Sequence, residues 1–443
     1  MKLPRIRPQS ALLVLYFGGI SLIGSALLSL PIAHVGSPVA YIDALFTSVS
    51  AITVTGLFTV NTPEYTRFGQ LVILVLIQAG GLGIIAFTTL FLTAAARRLS
   101  FSNQSVIQDY YLSEVEHDPR RIVRSILGMT IAVELAGFLL LWPSFAAAGV
   151  SDAAWHAAFH AVSAFCNAGF STFPDSLVSL SERDSIVLVV MGLFVTGGIG
   201  FVVLQDLAKS WTNQKRMISS HTRIVLSATA IVISIGAVLF WFFERDGSFL
   251  GMPLPDQIVN ALFQATTPRT AGFNTVDQAA LSAPSRMLTA LLMFVGGAPG
   301  SISGGVKITT VTLVLLSGLR SPMRAHDIRV FQRQVPERLI ARAQNLLVKA
   351  LLFITLMTTL LITTETLSGT GPARMEVLSF EVISAFSTVG LSIGGTSGLS
   401  LLGKLVIIVT MFVGRVGLIQ FVMPVQERRE ARSGRPYADV MIG

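Results

Sequence analysis

FTSVSAITVTGL at residues 46–57 returns three more times along this chain, as FHAVSAFCNAGF at 159–170, LFQATTPRTAGF at 262–273 and FEVISAFSTVGL at 380–391. Aligned on their penultimate glycines, Gly56, Gly169, Gly272 and Gly390, all four stretches start on an apolar residue ten positions earlier and end on one just after. The glycines stand 113, 103 and 118 residues apart. Each interval contains two long apolar runs and one such stretch, so the unit reads as helix, re-entrant loop, helix, repeated four times.

The apolar runs set the environment. Crossing a bilayer takes about 20 mostly apolar residues, and such runs fall at 11–31, 69–95, 123–142, 185–207, 223–243, 286–319, 346–365 and 402–424, the sixth of them interrupted. Over the whole 443 residues only 13% are charged, 52% belong to the hydrophobic set and the mean hydropathy is +0.69, against about 25% charged in an average soluble domain. The sequence therefore predicts an all-α polytopic membrane protein with eight spanning helices and four re-entrant pore helices around one central pore. The repeats divide it as 1–98 with pore loop 41–57, 99–212 with pore loop 152–170, 213–325 with pore loop 256–273, and 326–443 with pore loop 375–391 and a tail at 425–443. The first run follows Lys2, Arg5 and Arg7 but is too long for a signal-peptide core, so it reads as a retained helix.

Basic residues gather in alternate connections: the N-terminus, Arg97 to Arg124, Lys209 to Arg223, Arg320 to Lys349 and Arg428 to Arg435. The positive-inside rule places these, and both termini, on the cytoplasmic side of the membrane. Arg67, Arg183, Arg245, Arg269, Arg286, Arg374 and Lys404 fall on the other side. The +8 net charge is then topological, and a nucleic-acid partner has nothing left to explain. Cys166 is the only cysteine, which excludes an internal disulfide and a thiolate metal site. His156 and His160 are spaced i, i+4 in an apolar stretch, where packing is a better account than metal binding.

Each pore loop divides into a short apolar helix and a small-residue tail. Asp43, Asp152, Asp256 and Glu376 stand near the helix starts, suited to capping and to the positive dipole end. The helix C-termini then aim inward with partial negative charge. The tails are Thr53-Val54-Thr55-Gly56, Cys166-Asn167-Ala168-Gly169, Thr270-Ala271-Gly272 and Ser387-Thr388-Val389-Gly390. Non-helical backbone at membrane depth survives only inside protein or along a water-filled path. Four such tails around one axis would offer rings of carbonyls able to replace a cation's hydration shell, and glycine admits the backbone angles that aim those carbonyls. No tail carries a carboxylate, which disfavours a charged-ring calcium filter and favours an alkali cation; potassium over sodium does not follow from this chemistry.

A second glycine cluster follows each filter glycine by about 25 residues: Gly80, Gly81 and Gly83; Gly197, Gly198 and Gly200; Gly296 and Gly297; Gly414 and Gly417. In the first two repeats these permit close helix packing. The third differs, because GGAPGSISGGVK (296–307) holds Gly296, Gly297, Pro299, Gly300, Gly304 and Gly305, too many breakers for a helix. A broken helix with an intramembrane loop at 296–305 follows, with Ser301 and Ser303 among its polar groups, and a loop there, on the cytoplasmic side of the filter, would act as a gate. Arg415, in VGRVG, must find interior partners at membrane depth; the loop's carbonyls and hydroxyls are candidates, making it a latch and an electrostatic barrier. Lys307 could equally snorkel toward the cytoplasm, and Glu134, mid-span, requires a partner.

ITVTGL, SAFCNAGFS, TPRTAGFNT and SAFSTVGLS, with 296–307 and MFVGRVG (411–417), resemble the potassium transporter superfamily of KtrB, TrkH/TrkG and the plant and fungal Trk/HKT proteins. The match touches all four repeats, and the absence of a helical pair ahead of the first looks most like KtrB. The resemblance implies four pseudo-fourfold helix–pore–helix units, potassium uptake, filter glycines at Gly56, Gly169, Gly272 and Gly390, a gate loop at 296–305 and a gate arginine at Arg415. It also implies a homodimer seated on a cytosolic KtrA/TrkA-like nucleotide-binding regulatory ring. Gly56 is the residue that accompanies potassium selectivity in that family, and Cys166 departs from its usual polar amide. Potassium is the expected cargo, and sodium as an activator is left open. The chain carries no GxxxxGK[ST] nucleotide motif of its own. A secondary transporter would need paired half-helices in two repeats and intramembrane carboxylates for coupling. A membrane enzyme would need a catalytic cluster at one depth, and no such cluster is visible.

Overall fold

The computed structural model describes residues 8–36, 38–97, 119–212, 218–319, 329–331, 333–369 and 375–417. Lys2, Arg5, Arg7, Arg98, Lys215, Arg216, Arg320, Arg374 and the tail 425–443, all used above to orient the chain, lie outside the described residues.

In order, the helices are α1 (Pro8–Leu28), α2 (Tyr41–Thr53), α3 (Arg67–Arg97), α4 (Pro119–Ala147), α5 (Ala153–Phe165), α6 (Asp184–Ile199), α7 (Phe201–Thr212), α8 (Ser220–Glu244), α9 (Leu254–Thr266), α10 (Ala283–Phe294), α11 (Ile308–Gly318), α12 (Glu337–Leu367), α13 (Met375–Ser387) and α14 (Leu401–Phe412). A π-helical turn, Val413–Gly417, continues α14. The chain is mostly helical. Departures from all-α among the described residues are a hairpin pairing Arg329–Val330 with Arg333–Gln334 and the isolated bridges His34–Tyr65 and Val295–Val306.

Among the described residues, three helices are long and apolar enough to cross a membrane (Val123–Ala147, Ser220–Glu244 and Glu337–Leu367). Their outward faces carry exposed Leu139, Leu140, Ile231, Ile235, Leu352 and Leu356, a distribution suited to lipid rather than water. The run expected to be a single span over 185–207 is two helices, α6 and α7, bent by 99° at Gly200. The reason is local. Gly200 takes φ 97°, outside any helix, and a Cβ there would stand 3.0 Å from the Pro299 carbonyl oxygen, so the bend makes room for the glycine-rich 296–307 segment.

Two buried carboxylates fix helix starts. Glu244, at the end of α8, accepts from the Ser282 N–H (2.9 Å) and hydroxyl (2.7 Å), and Ser282 in turn is the N-cap of α10. Glu365, near the end of α12, does the same for Ser400 (3.1 and 2.8 Å), the N-cap of α14. Both carboxylates are thus satisfied inside the protein, which is the condition for keeping such groups buried.

The four 13-residue helices α2, α5, α9 and α13 are largely buried. Each packs on a neighbour further back along the chain or around it: α5 on α3, α9 on α6, α13 on α10, and α2 on α14. The last contact joins the two ends of the sequence, so the packing closes into a cycle.

Candidate functional site

The C-terminal ends of these four helices run into the four small-residue tails, and all four tails leave the helix in the same way. The residue two before each glycine is left-handed, Val54 at φ 56°, Asn167 at 56°, Thr270 at 74° and Thr388 at 52°, and so is each glycine, at 91°, 69°, 78° and 92°. Val54, Thr270 and Thr388 are β-branched, for which this region costs on the order of 1–3 kcal/mol. Alternating hands along an extended tail turns successive carbonyls to one side, instead of to opposite sides as in a strand.

The glycines also face one another in sequence. A Cβ on Gly56 would strike the carbonyl oxygen of Ala168, and one on Gly169 would lie 3.1 Å from that of Ala271. One on Gly272 would strike the Val389 oxygen, and one on Gly390 the Thr55 oxygen, returning to the start. The tails stand backbone to backbone in a closed ring that has no room for any side chain at these positions. Thr53, Val54, Thr55, Cys166, Asn167, Ala168, Thr270, Ala271, Ser387, Thr388 and Val389 are all buried around it.

One set of residues escaped the sequence reading. Ser50 Oγ accepts from Gly56 N–H (3.0 Å) and Ser384 Oγ from Gly390 N–H (3.1 Å), while Ser163 Oγ donates to Phe170 O (2.7 Å) and Thr267 Oγ1 to Phe273 O (2.5 Å). A buried hydroxyl on each of the four helices, or just past its end in the case of Thr267, thus braces its own tail. The signal was present in the quoted stretches as the hydroxyl five or six positions before each glycine.

The glycine-rich segment crosses beside these tails. Gly296 N–H donates to Val306 O (2.9 Å) and Ala298 N–H to Gly198 O (3.0 Å), and Phe201 N–H reaches Gly300 O (3.1 Å). A Cβ on Gly297 would lie 2.5 Å from Ser303 Oγ, and one on Gly305 3.4 Å from Ser387 Cβ. Gly304 would strike the Thr388 hydroxyl if it carried a Cβ. The Asn167 amide, turned so that its nitrogen donates to Phe194 O (3.0 Å) and Phe165 O (3.2 Å), presents its oxygen to the hydroxyls of Ser303 (3.3 Å) and Thr270 (3.4 Å). Ser301 and Ser303 are buried, Ser301 Oγ donating to Ala298 O (2.6 Å).

Two cations close on consecutive carbonyls of this segment. Arg415, 3% exposed, donates to Ile302 O and, at 3.5 Å, to Gly80 O. Lys307 Nζ donates to Ser303 O at 2.5 Å, so its ammonium is turned into the segment and does not snorkel. The second-helix glycines serve close packing: a Cβ on Gly80, Gly197 or Gly414 would collide with the carbonyl oxygens of Ile52, Phe165 or Phe386 at the ends of α2, α5 and α13.

Other residues resolve as follows. Glu134 accepts from Gln78 Nε2 (3.2 Å), which supplies the partner the sequence required, and Cys166 Sγ donates to Gln78 Oε1 (3.4 Å). His156 and His160 hold the Thr172 and Ser171 hydroxyls (2.6 and 2.9 Å) and stack on Phe173 with ring centroids 4.8 and 5.0 Å away, a packing cluster. Arg269, counted above with the outer loops, is buried beside Thr229 of α8 (3.3 Å). Its tail re-enters the protein, which a loop count along the sequence cannot register.

Residues 13–427 match the TrkH family of cation transport proteins, and the chain belongs to that family. It is a membrane protein that transports cations and is not an enzyme. Among its relatives, the potassium/sodium uptake protein NtpJ of Enterococcus hirae is 35% identical, over 95% of this chain and 94% of its own. The Ktr system potassium uptake protein B of Bacillus subtilis is 34% identical over 100% and 98%, and that of Vibrio alginolyticus 33% identical over 92% and 89%. The crystal structure of the potassium transporter TrkH from Vibrio parahaemolyticus shares the fold, with a TM-score of 0.73 at 20% identity over 95% of this chain and 86% of that one.

Proposed function

We propose that this chain takes up potassium across the cytoplasmic membrane through a single pore formed by its four helix–pore loop–helix repeats, both termini facing the cytoplasm. The selectivity filter is the ring of tails, and the observation that supports it best is the closed cycle of left-handed glycines, each facing a carbonyl oxygen of the next tail. Carbonyls held in that way can strip and replace the hydration shell of an alkali cation. The full-length relatives named for potassium uptake favour potassium as the cargo. The segment 296–305 is the gate: it is seated against Asn167, Ser387 and Thr388 at the inner end of the tails, and Arg415 holds it closed through Ile302 O. The relatives named as parts of a Ktr system support partner subunits in a transport system, and we take the partner to be a cytosolic nucleotide-binding regulatory ring acting on a homodimer of this chain, with sodium as a candidate activator.

Complementation of a potassium-uptake-deficient bacterium tests the cargo, and Gly56→Ser and Gly272→Ser test the filter. Growth at low potassium with the parent chain, and a changed potassium-to-sodium preference in both variants, is the expected result. No rescue by the parent chain, or unchanged preference in both variants, sinks the reading. Deleting part of 299–304 raises flux if the segment is the gate; lower flux at normal expression removes that role. Pull-down of cytosolic nucleotide-binding subunits tests the partner, and no association counts against it.

A further inference from the structure

The acids at the outer ends of the pore helices do something other than cap them. Asp152, at the N-cap of α5, makes no capping hydrogen bond, and Ala40, not Asp43, occupies the N-cap of α2. Instead, three of the four acids reach the second helix of the preceding repeat. Arg67 at the start of α3 pairs with Asp152 of α5 at 2.6 Å. Arg286 of α10 pairs with Glu376 of α13 at 2.7 Å, and Lys404 of α14 pairs with Asp43 of α2 at 2.6 Å, across 361 residues of sequence. These bonds follow the same cyclic order as the helix packing and the glycine ring.

The fourth boundary does not carry the same link among the described residues: Asp184 in the first turn of α6 and Asp256 in the first turn of α9 are both acids, and Arg183, the N-cap of α6, forms no ion pair with Asp256. Asn260 Nδ2 bonds there to Ser181 O (3.2 Å), and Phe194 meets Phe263 edge to face with centroids 5.4 Å apart. Every boundary therefore has a polar bond at its outer end, and three of the bonds are ionic.

We propose that this outer belt positions the filter, with Asp43 and Lys404 as its principal positioning residues. The proposal rests on the filter reading above. Its mechanics follow from geometry. Each of α2, α5, α9 and α13 has 13 residues, a lever of about 20 Å at 1.5 Å rise per residue. A tilt of about 3° at the belt displaces the tail at the far end by about 1 Å. The ring of tails leaves no such slack: a Cβ on Gly169 would lie 2.9 Å from Gly272 Cα.

The three ion pairs differ in exposure, which ranks them. Lys404 and Asp43 are each 15% exposed, Arg286 and Glu376 are 25% and 58%, and Arg67 and Asp152 are 48% and 71%. Exposed pairs contribute little, whereas breaking a buried one leaves a charge without a counterion.

The test is the potassium-to-sodium preference of the full-length chain in reconstituted vesicles, with the melting temperature in detergent measured beside it. Asp43→Asn and Lys404→Met are expected to lower the preference about tenfold, a tenth of what 1 Å of misplacement costs a tuned site. Arg286→Gln should cost less and Arg67→Gln least. The exchange Asp43→Lys with Lys404→Asp should restore most of the loss, and Lys404→Arg should retain the parent value. If Asp43→Asn does not accumulate, Lys404→Met alone carries the comparison. A lower melting temperature with unchanged preference would mean that the belt only holds the fold together, and would overturn the proposal; so would failure of the exchange to restore preference. Gly390→Ser, run in parallel, separates the two ideas: if it shifts preference and no belt variant does, the filter stands and the belt falls, and if neither shifts it, the filter reading itself is wrong.

Discussion

Replacing Arg415 by methionine removes the guanidinium and keeps most of the apolar volume. In the structure this side chain is buried and donates to Ile302 O within the proposed gate and to Gly80 O. The 3.5 Å contact to Gly80 is near the limit of a hydrogen bond, so most of the latch resides in the Ile302 bond. A bond to a charged donor is worth about 1.5–3 kcal/mol, and each 1.4 kcal/mol is about a factor of ten in an equilibrium constant. Losing it should therefore shift the closed-to-open equilibrium of the 296–305 segment by about 10- to 100-fold. The fixed positive charge beside the proposed ion path disappears as well, which acts in the same direction. Rubidium uptake into potassium-depleted cells expressing this chain without a regulatory partner reads the change, normalised to the amount of chain in the membrane. Flux should rise well above that of the parent. Arg415→Lys keeps the charge but loses the planar fork of donors, and should fall between the two. Unchanged or reduced flux in Arg415→Met at equal membrane level would refute the latch.

Three further outcomes follow from the same geometry. Ser384→Ala leaves the buried Gly390 N–H without its acceptor, a loss of about 1–3 kcal/mol, and should lower potassium preference in competition uptake; an unchanged preference would mean the hydroxyl brace is dispensable. Gly200→Val forces a β-branched residue to φ 97° and crowds Pro299 O, so the 99° bend should open and uptake should fall with the chain still in the membrane, whereas full uptake would show that the bend does not seat the gate. Glu134→Gln keeps a hydrogen-bonding partner for Gln78 while Glu134→Leu does not; the first should melt within a few degrees of the parent and the second clearly lower, and equal melting would contradict the pairing.

How much of this could be read from the sequence depends on whether a feature is local. The departure of each tail from its helix is local: small residues ending in glycine announce it, because only glycine takes φ near 90° at no cost. The break at 296–307 is local in the same sense, with five glycines and a proline in twelve residues. Gly200 was visible with Gly197 and Gly198 as a packing cluster, but its bend was not legible, since glycines in an apolar run are ordinarily tolerated and the bend exists to admit a segment about 100 residues further on. Arg269 looked exposed because loop residues are counted along the chain, whereas its tail folds back beside Thr229. The ion pairs join residues 85, 90 and 361 positions apart, and no pattern in the chain reveals such partners. The bracing hydroxyls were visible but not distinctive, because serine and threonine also occur at helix interfaces for packing alone.

The central claim is that four glycines act as one ring, and the potassium-to-sodium preference of Gly56→Ser, Gly169→Ser, Gly272→Ser and Gly390→Ser, each measured alone at matched expression, tests it most directly. All four should lose preference for potassium, because every added side chain meets the next tail in the cycle. Retained preference in all four, or loss confined to one, would contradict it.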